Sequence, residues 1–346
     1  MYERTKAAGA IQNTYFRTAE FSSFIQETEG MLKKFLNVPD EYHTIFLASS
    51  GTGAMESVLL NCFTPDDKML IINGGTFSAY FIDLCNYQNI PFETVDVPFG
   101  KTLTAENLLP YENRGYTALL VNIHETSTGQ LYDKKMLRDF CRRNGMYYVV
   151  DAISSVCADE LNVGFYDMDA VMLSSQKGFA LPPGLGIVLI GNRLYDERAA
   201  NNKISSLYFD FKEYTKNMTR FQTPFTPVIG ILYQLNDMLK FLLKSGAETV
   251  AANTYELANY FRTEIKKFGL KILAHPLSNA MTPIYLDDIS ALEVHNVLKN
   301  KYGIMTNPSG LRPENLLRVG HLGNLNKNDY NILLSALKAV FEELKI

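Results

Sequence analysis

The chain is poor in the features that mark several large classes of protein. It has only four cysteines, Cys62, Cys85, Cys141 and Cys157, and none form a CxxC pair. That excludes a disulfide framework and gives no metal-ligand spacing. Three of the four fall in apolar surroundings and read as buried free thiols, which suits a reducing cytoplasm. No apolar run approaches the roughly 20 residues that cross a bilayer, so no membrane partner is expected. The first residues, Met1 to Lys6, lack the apolar core of a signal peptide. A formal charge of -4 leaves no basic footprint, so nucleic acid is not an expected partner. No internal repeat and no low-complexity tract interrupts the sequence.

What is present is an alternation. Between about residues 44 and 190, short apolar runs alternate with amphipathic stretches. The runs are 45–48, 69–72, 118–121, 147–150, 170–173 and 186–190. Each is strand length, and most are rich in β-branched or aromatic residues. Continuous apolar runs of this kind suit strands covered on both faces. The stretch 134–144 reads as a helix between two of them. Strand-helix alternation predicts an α/β domain on a mainly parallel sheet. The last hundred residues read as a smaller α+β domain. Its apolar positions recur at helical spacing over 250–268 and 330–344, with a short strand candidate at 281–286. A long helix over about 227–244 joins the two parts.

Three short segments carry chemistry. Ser49-Ser50-Gly51-Thr52-Gly53 follows the first run and opens a helix, expected over 54–62. Backbone N–H groups and hydroxyls gather there at a positive helix end, where an anion binds. No GK[ST] follows, so it is not a P-loop, and Glu56 stands where a dinucleotide fingerprint needs its third glycine. Asp151 ends a buried strand and faces the crevice in which α/β sheets bind ligands. Lys177, in Ser174-Ser175-Gln176-Lys177-Gly178, sits just beyond a later strand end. A desolvated lysine has a lowered pKa and becomes a nucleophile able to form a Schiff base. Taken together, an anion cradle, an acid and a nucleophilic lysine are the parts needed to hold pyridoxal 5'-phosphate (PLP).

On these residues the sequence resembles the class V aminotransferases of PLP fold type I, in particular the alanine–glyoxylate, serine–pyruvate and 2-aminoethylphosphonate transaminases. The resemblance runs from about Tyr15 to the C-terminus. It implies a mainly parallel seven-stranded sheet in a large PLP-binding domain, residues 16–240. An N-terminal arm, 1–15, precedes it and a small α+β domain, 241–346, follows. It also implies roles. Ser50, Gly51 and Thr52 match the phosphate loop, and Gln176 a phosphate contact beside the lysine. Phe77, in Gly74-Gly75-Thr76-Phe77, matches the aromatic that stacks on the ring, and Ile153 the residue packed beneath it. Thr126, in His124-Glu125-Thr126-Ser127-Thr128-Gly129, matches a hydroxyl placed near the ring oxygen. Asp151 matches the partner of the ring nitrogen and Lys177 the cofactor-bearing lysine. Thr226 matches a threonine reaching the phosphate of the neighbouring subunit, which makes the protein a homodimer. Arg318 matches the arginine that binds the substrate carboxylate, a task suited to a planar guanidinium. Arg17 reads as structural.

The resemblance implies a transaminase acting on a small amino acid of the alanine, serine or 2-aminoethylphosphonate type and a 2-oxo acid such as pyruvate or glyoxylate. A lyase or decarboxylase on the same cofactor, or a PLP-binding homologue without turnover, stays open. A cysteine desulfurase does not, since no cysteine follows Cys157. The Gly-Pro-rich segment with which the family usually begins has no counterpart before Tyr15, a departure that bears on the substrate more than on the cofactor.

Overall fold

The computed structural model describes residues 1–272, 276–286, 289–308 and 315–344. Seven strands build the central sheet: β1 Tyr42–Leu47, β2 Met69–Asn73, β3 Phe92–Asp96, β4 Ala118–Asn122, β5 Tyr147–Asp151, β6 Ala170–Ser174 and β7 Gly186–Gly191. Their spatial order is β1-β7-β6-β5-β4-β2-β3. The pairs β2–β3, β2–β4, β4–β5 and β5–β6 are parallel. Only β7 runs against its two neighbours. The mainly parallel sheet expected from the sequence is therefore present. Six strands coincide with the apolar runs. The seventh, β3, has no such run. It is an edge strand, Phe-Glu-Thr-Val-Asp, with only Val95 buried, so its polar residues hid it.

Alternate residues of each strand feed two cores, one on either face. Leu70, Ile72, Leu119, Val121, Val150, Val171 and Leu189 pack against the helices Ala19–Leu36, Lys134–Asn144 and Ile229–Ser245. Ile71, Leu120, Val149, Met172 and Val188 face the helix Gly51–Cys62 and the residues Phe81, Phe211 and Tyr214. Burial on both faces is why these strands read as unbroken apolar runs. All four cysteines are buried and unpaired.

The helices begin and end where local chemistry dictates. The Thr18 side chain accepts from Phe21 N, and Asp133 accepts from Lys135 N and Met136 N. Each such cap is worth about 1 kcal/mol. The helix after the Ser-Gly-Thr stretch starts at Gly51, three residues before the expected Ala54, because Ser50 serves as its cap and accepts from Gly53 N. The stretch is thus the first turn of a helix rather than a loop before one.

A third core lies in the C-terminal part. The helices Ala247–Lys266, Ala291–Tyr302 and Lys327–Glu343 cover an antiparallel sheet of β8 Met281–Tyr285, β9 Asn307–Pro308 and β10 Leu316–Gly320, with β10 in the middle. Phe261, Ile284, Val294, Leu317, Leu334 and Leu337 are its centre. The N-terminal residues form a short helix, Glu3–Gly9, held to the long helix Ile229–Ser245. Arg4 binds Asp237 through two bonds of 2.7 and 2.6 Å, and Gln234 donates to the Thr5 carbonyl.

Candidate active site

Strands β1, β2, β4, β5 and β6 all end at one edge of the sheet, the edge at which α/β proteins bind ligands. The parallel register sets Asn122 beside Asp151. Asn122 donates to one Asp151 oxygen, and the Ile153 backbone N–H donates to the other at 2.8 Å. Asp151 is only 8 % exposed. Burial pushes its carboxyl up to about 6, against the pull of these two hydrogen bonds; the Glu125 charge adds to the rise and Lys177 opposes it. A carboxylate held this way welcomes a cation.

Lys177 follows β6 by three residues, in a turn. It is half-buried, and no hydrogen bond or ion pair to its amine is found among the described residues. Burial first, and then the Arg318 charge, hold its pKa below the ordinary lysine value, while Asp151 pulls the other way. Such an amine is a better nucleophile at neutral pH. Beside it, Ser174 donates to the Gln176 side chain.

The first turn of the helix Gly51–Cys62 closes on the same place. A Cβ at Gly51 would run into Ile153 Cδ1 and lie 3.2 Å from Ser174 Cβ. Glycine at 51 therefore lets the helix start press directly on the ends of β5 and β6. The N–H groups of Gly51 and Thr52 find no acceptor among the described residues, and both point from a positive helix end. Ser50 and Thr52 are exposed there.

The segment after β4 turns back as a hairpin, His124–Glu125 against Gln130–Leu131. The Thr126 hydroxyl donates to Ser154 Oγ at 2.8 Å, and Ser154 Oγ lies 3.0 Å from His124 Nδ1. His124 Nε2 is buried with no partner among the described residues. Burial pushes its pKa down to about 3, so the imidazole is neutral. Phe77 is half-buried just before the helix Ala79–Tyr87, its backbone N–H on Glu125. Ile153 is half-buried.

Arg318, on β10, reaches across from the C-terminal part. It donates to the Thr126 carbonyl at 2.9 Å and to Asn307 Oδ1 at 2.8 Å, and its buried Nε has no partner among the described residues. Burial lowers its pKa and the Glu125 charge raises it. Thr226 is exposed and is not among the groups that gather within this chain. Arg17 holds the segment before Thr226, donating to the Thr223 and Pro224 carbonyls at 2.7 and 2.8 Å. Thus Ser50 to Thr52, Thr126, Asp151, Ile153, Gln176, Lys177 and Arg318 come together, while Thr226 faces outward.

Two residues of the site escaped the sequence reading. Asn122 lies one position beyond an apolar run, and only the register of β4 against β5 reveals it. Glu125 is fully buried and accepts from Phe77 N, Ser78 N, Ser127 N and Ser127 Oγ. Its place within an ordinary polar hexapeptide gave no sign of that.

The donor set fits PLP. Unpaired N–H groups at a helix start suit a phosphate, a buried carboxylate suits a pyridinium, and an unpaired amine suits an aldehyde carbon. Comparison with known proteins agrees. The chain is 27% identical over 336 residues to the soluble hydrogenase 42 kDa subunit of Anabaena cylindrica, covering 95% of this chain and 87% of that one. It is 29% identical over 328 residues to the serine–glyoxylate aminotransferase of Hyphomicrobium methylovorum, covering 90% and 80%. The solved structure of ureidoglycine–glyoxylate aminotransferase from Bacillus subtilis superposes with a TM-score of 0.94 at 21% identity, over 99% of this chain and 91% of that one. The family model for class-V aminotransferases matches residues 1–313, and the chain belongs to that family.

Proposed function

We propose that the protein is a PLP-dependent transaminase. It moves an amino group between a small amino acid, of the alanine, serine or 2-aminoethylphosphonate type, and a 2-oxo acid such as pyruvate or glyoxylate. The observation that supports this most is the convergence of three groups on one sheet edge. Asp151 ends one strand and Lys177 follows its parallel neighbour, and the Gly51 turn is pressed onto Ile153 and Ser174 between them.

Bound PLP supplies an aldehyde carbon and a ring that withdraws electrons from the substrate Cα. The chain's residues do the rest. Ser50, Gly51, Thr52 and Gln176 bind the phosphate. Asp151, oriented by Asn122 and Ile153 N, keeps the ring nitrogen protonated. Phe77 and Ile153 would pack against the cofactor ring, and the Thr126 hydroxyl would lie near it. Lys177 would hold the cofactor through its amine. That same amine would move the proton at the substrate Cα. A neutral amine is needed for that, and burial and the Arg318 charge both shift Lys177 in that direction. Arg318 binds the substrate carboxylate. It bridges β10 and the Thr126 segment, so it stands between the two halves of the site.

We further propose a cytoplasmic homodimer in which Thr226 serves the partner's phosphate. Residues 1–15 form an arm, 16–240 the PLP-binding domain and 241–346 the small domain.

The test is a single-turnover panel of amino donors with PLP-loaded protein. A 2-oxo acid, or an aldehyde from an aminophosphonate donor, released in step with pyridoxamine phosphate supports transamination. Carbon dioxide, or ammonia without pyridoxamine phosphate, would instead make the protein a decarboxylase or lyase.

A further inference from the structure

Glu125 is the least expected charge in the molecule. It is fully buried, and no salt bridge to it is found among the described residues. Desolvating a carboxylate costs several kcal/mol unless hydrogen bonds replace its water. Here four donors do so. One oxygen accepts from Phe77 N at 3.3 Å, Ser127 N at 3.1 Å and Ser127 Oγ at 2.6 Å; the other accepts from Ser78 N at 2.9 Å. Phe77 N and Ser78 N lie at the start of the helix Ala79–Tyr87, whose dipole favours an anion there.

The approach is very close. A Cβ at Gly75 would meet Ser127 Oγ and lie 2.8 Å from the Glu125 carboxyl carbon. Ser127 Oγ also accepts from Thr76 N at 3.0 Å. The backbone N–H groups of Thr76, Phe77 and Ser78 therefore all end on Glu125 or its neighbour Ser127. These residues flank Phe77 on one side and Thr126 on the other.

We propose that Glu125 is a positioning residue. Its carboxylate locks the Phe77 segment to the Thr126 segment and so sets the width of the slot that receives the cofactor ring. The inference rests on the reading of Phe77 and Thr126 as ring contacts. The charge itself is required. Three of the donors are backbone N–H groups that cannot reverse, and a Gln at this position would turn an NH2 group toward at least one of them.

The chain has no tryptophan, so Phe77→Trp installs a single reporter inside the slot. Its anisotropy in PLP-free protein reads the hold on the segment. Its quenching by added PLP reads ring contact. In Phe77→Trp, Glu125→Gln protein, anisotropy falls, quenching weakens, and the PLP Kd rises about tenfold or more, since bonds to a charged group are lost. If Glu125→Gln does not fold, Ser127→Ala decides the matter. It removes one donor to Glu125 and the acceptor for Thr76 N, and lowers anisotropy and affinity in the same direction by a few-fold. Unchanged anisotropy and a PLP Kd within about twofold would overturn the proposal. A Phe77→Trp reporter that PLP does not quench contradicts the assignment of Phe77 to the ring. The anisotropy comparison still reads the Glu125 lock apart from it.

Discussion

The chemistry of single residues here is set by burial and by partners. Asp151 titrates near 6 in the cofactor-free protein, above an unfolded aspartate near 4. The folded state therefore binds more protons between those values. The stability of PLP-free protein falls as pH rises through that window, by on the order of 2–3 kcal/mol from this group. Asp151→Asn removes the titration. Melting both proteins from pH 3.5 to 7 then shows the variant gaining on wild type between about pH 4 and 6 and level above that. Parallel profiles would show that Asp151 is not the buried acid. With PLP, Asp151→Ala keeps some cofactor and loses most turnover. Arg318 gives a second residue-level test. Losing one partner of a buried charged pair costs on the order of 2–5 kcal/mol. Arg318→Lys and Arg318→Ala therefore lower kcat/KM for an α-amino acid by roughly 30-fold to several thousand-fold. An amine without the carboxylate loses little, and cofactor content is unchanged. Equal losses on both substrates would remove Arg318 from carboxylate binding.

At the level of elements, the site depends on how a helix start meets two strand ends. Gly51→Ala pushes a methyl group into Ile153 Cδ1. Overpacking of this kind costs about 1–3 kcal/mol, and Ile153 lies against the ring in the proposed function. Thermal melting with and without PLP should show a larger loss in the loaded protein. An equal loss would place the strain outside the cofactor slot. Much of this architecture was legible in the sequence. The six apolar runs gave six strands, because strands buried on both faces leave no polar alternation. The helix Lys134–Asn144 was legible from its period and the glycine after it. Asp151 and Lys177 stood out as charges at the ends of apolar runs. The edge strand Phe92–Asp96 was not legible, since its partly exposed residues need no apolar run. Asn122 and Glu125 were not legible either. One depends on the register between strands, the other on contacts to a segment nearly fifty residues away. A single sequence carries no direct signal of such pairings.

On the scale of the whole molecule, two parts of the chain meet at the site, joined by Arg318 on the Thr126 carbonyl. Thr226 faces outward from the chain that carries it, which suits a role in a second subunit. Light scattering is expected to give a dimer, and a fully active monomer would refute the shared site. Subunit mixing tests the sharing itself. Lys177→Ala and Thr226→Glu homodimers should be inactive or weak. Mixing them places both changes in one site and leaves the other intact, restoring about a quarter of wild-type sites at random assortment. No restoration in a proven mixed dimer would put Thr226 outside the partner's site. Lys177 as the cofactor-bearing residue is tested by one measurement. PLP-loaded protein is reduced with borohydride, digested, and its peptides mapped by mass. The pyridoxyl label is expected on Lys177, with no transamination by Lys177→Ala; a label on any other lysine, or turnover by that variant, would rule Lys177 out.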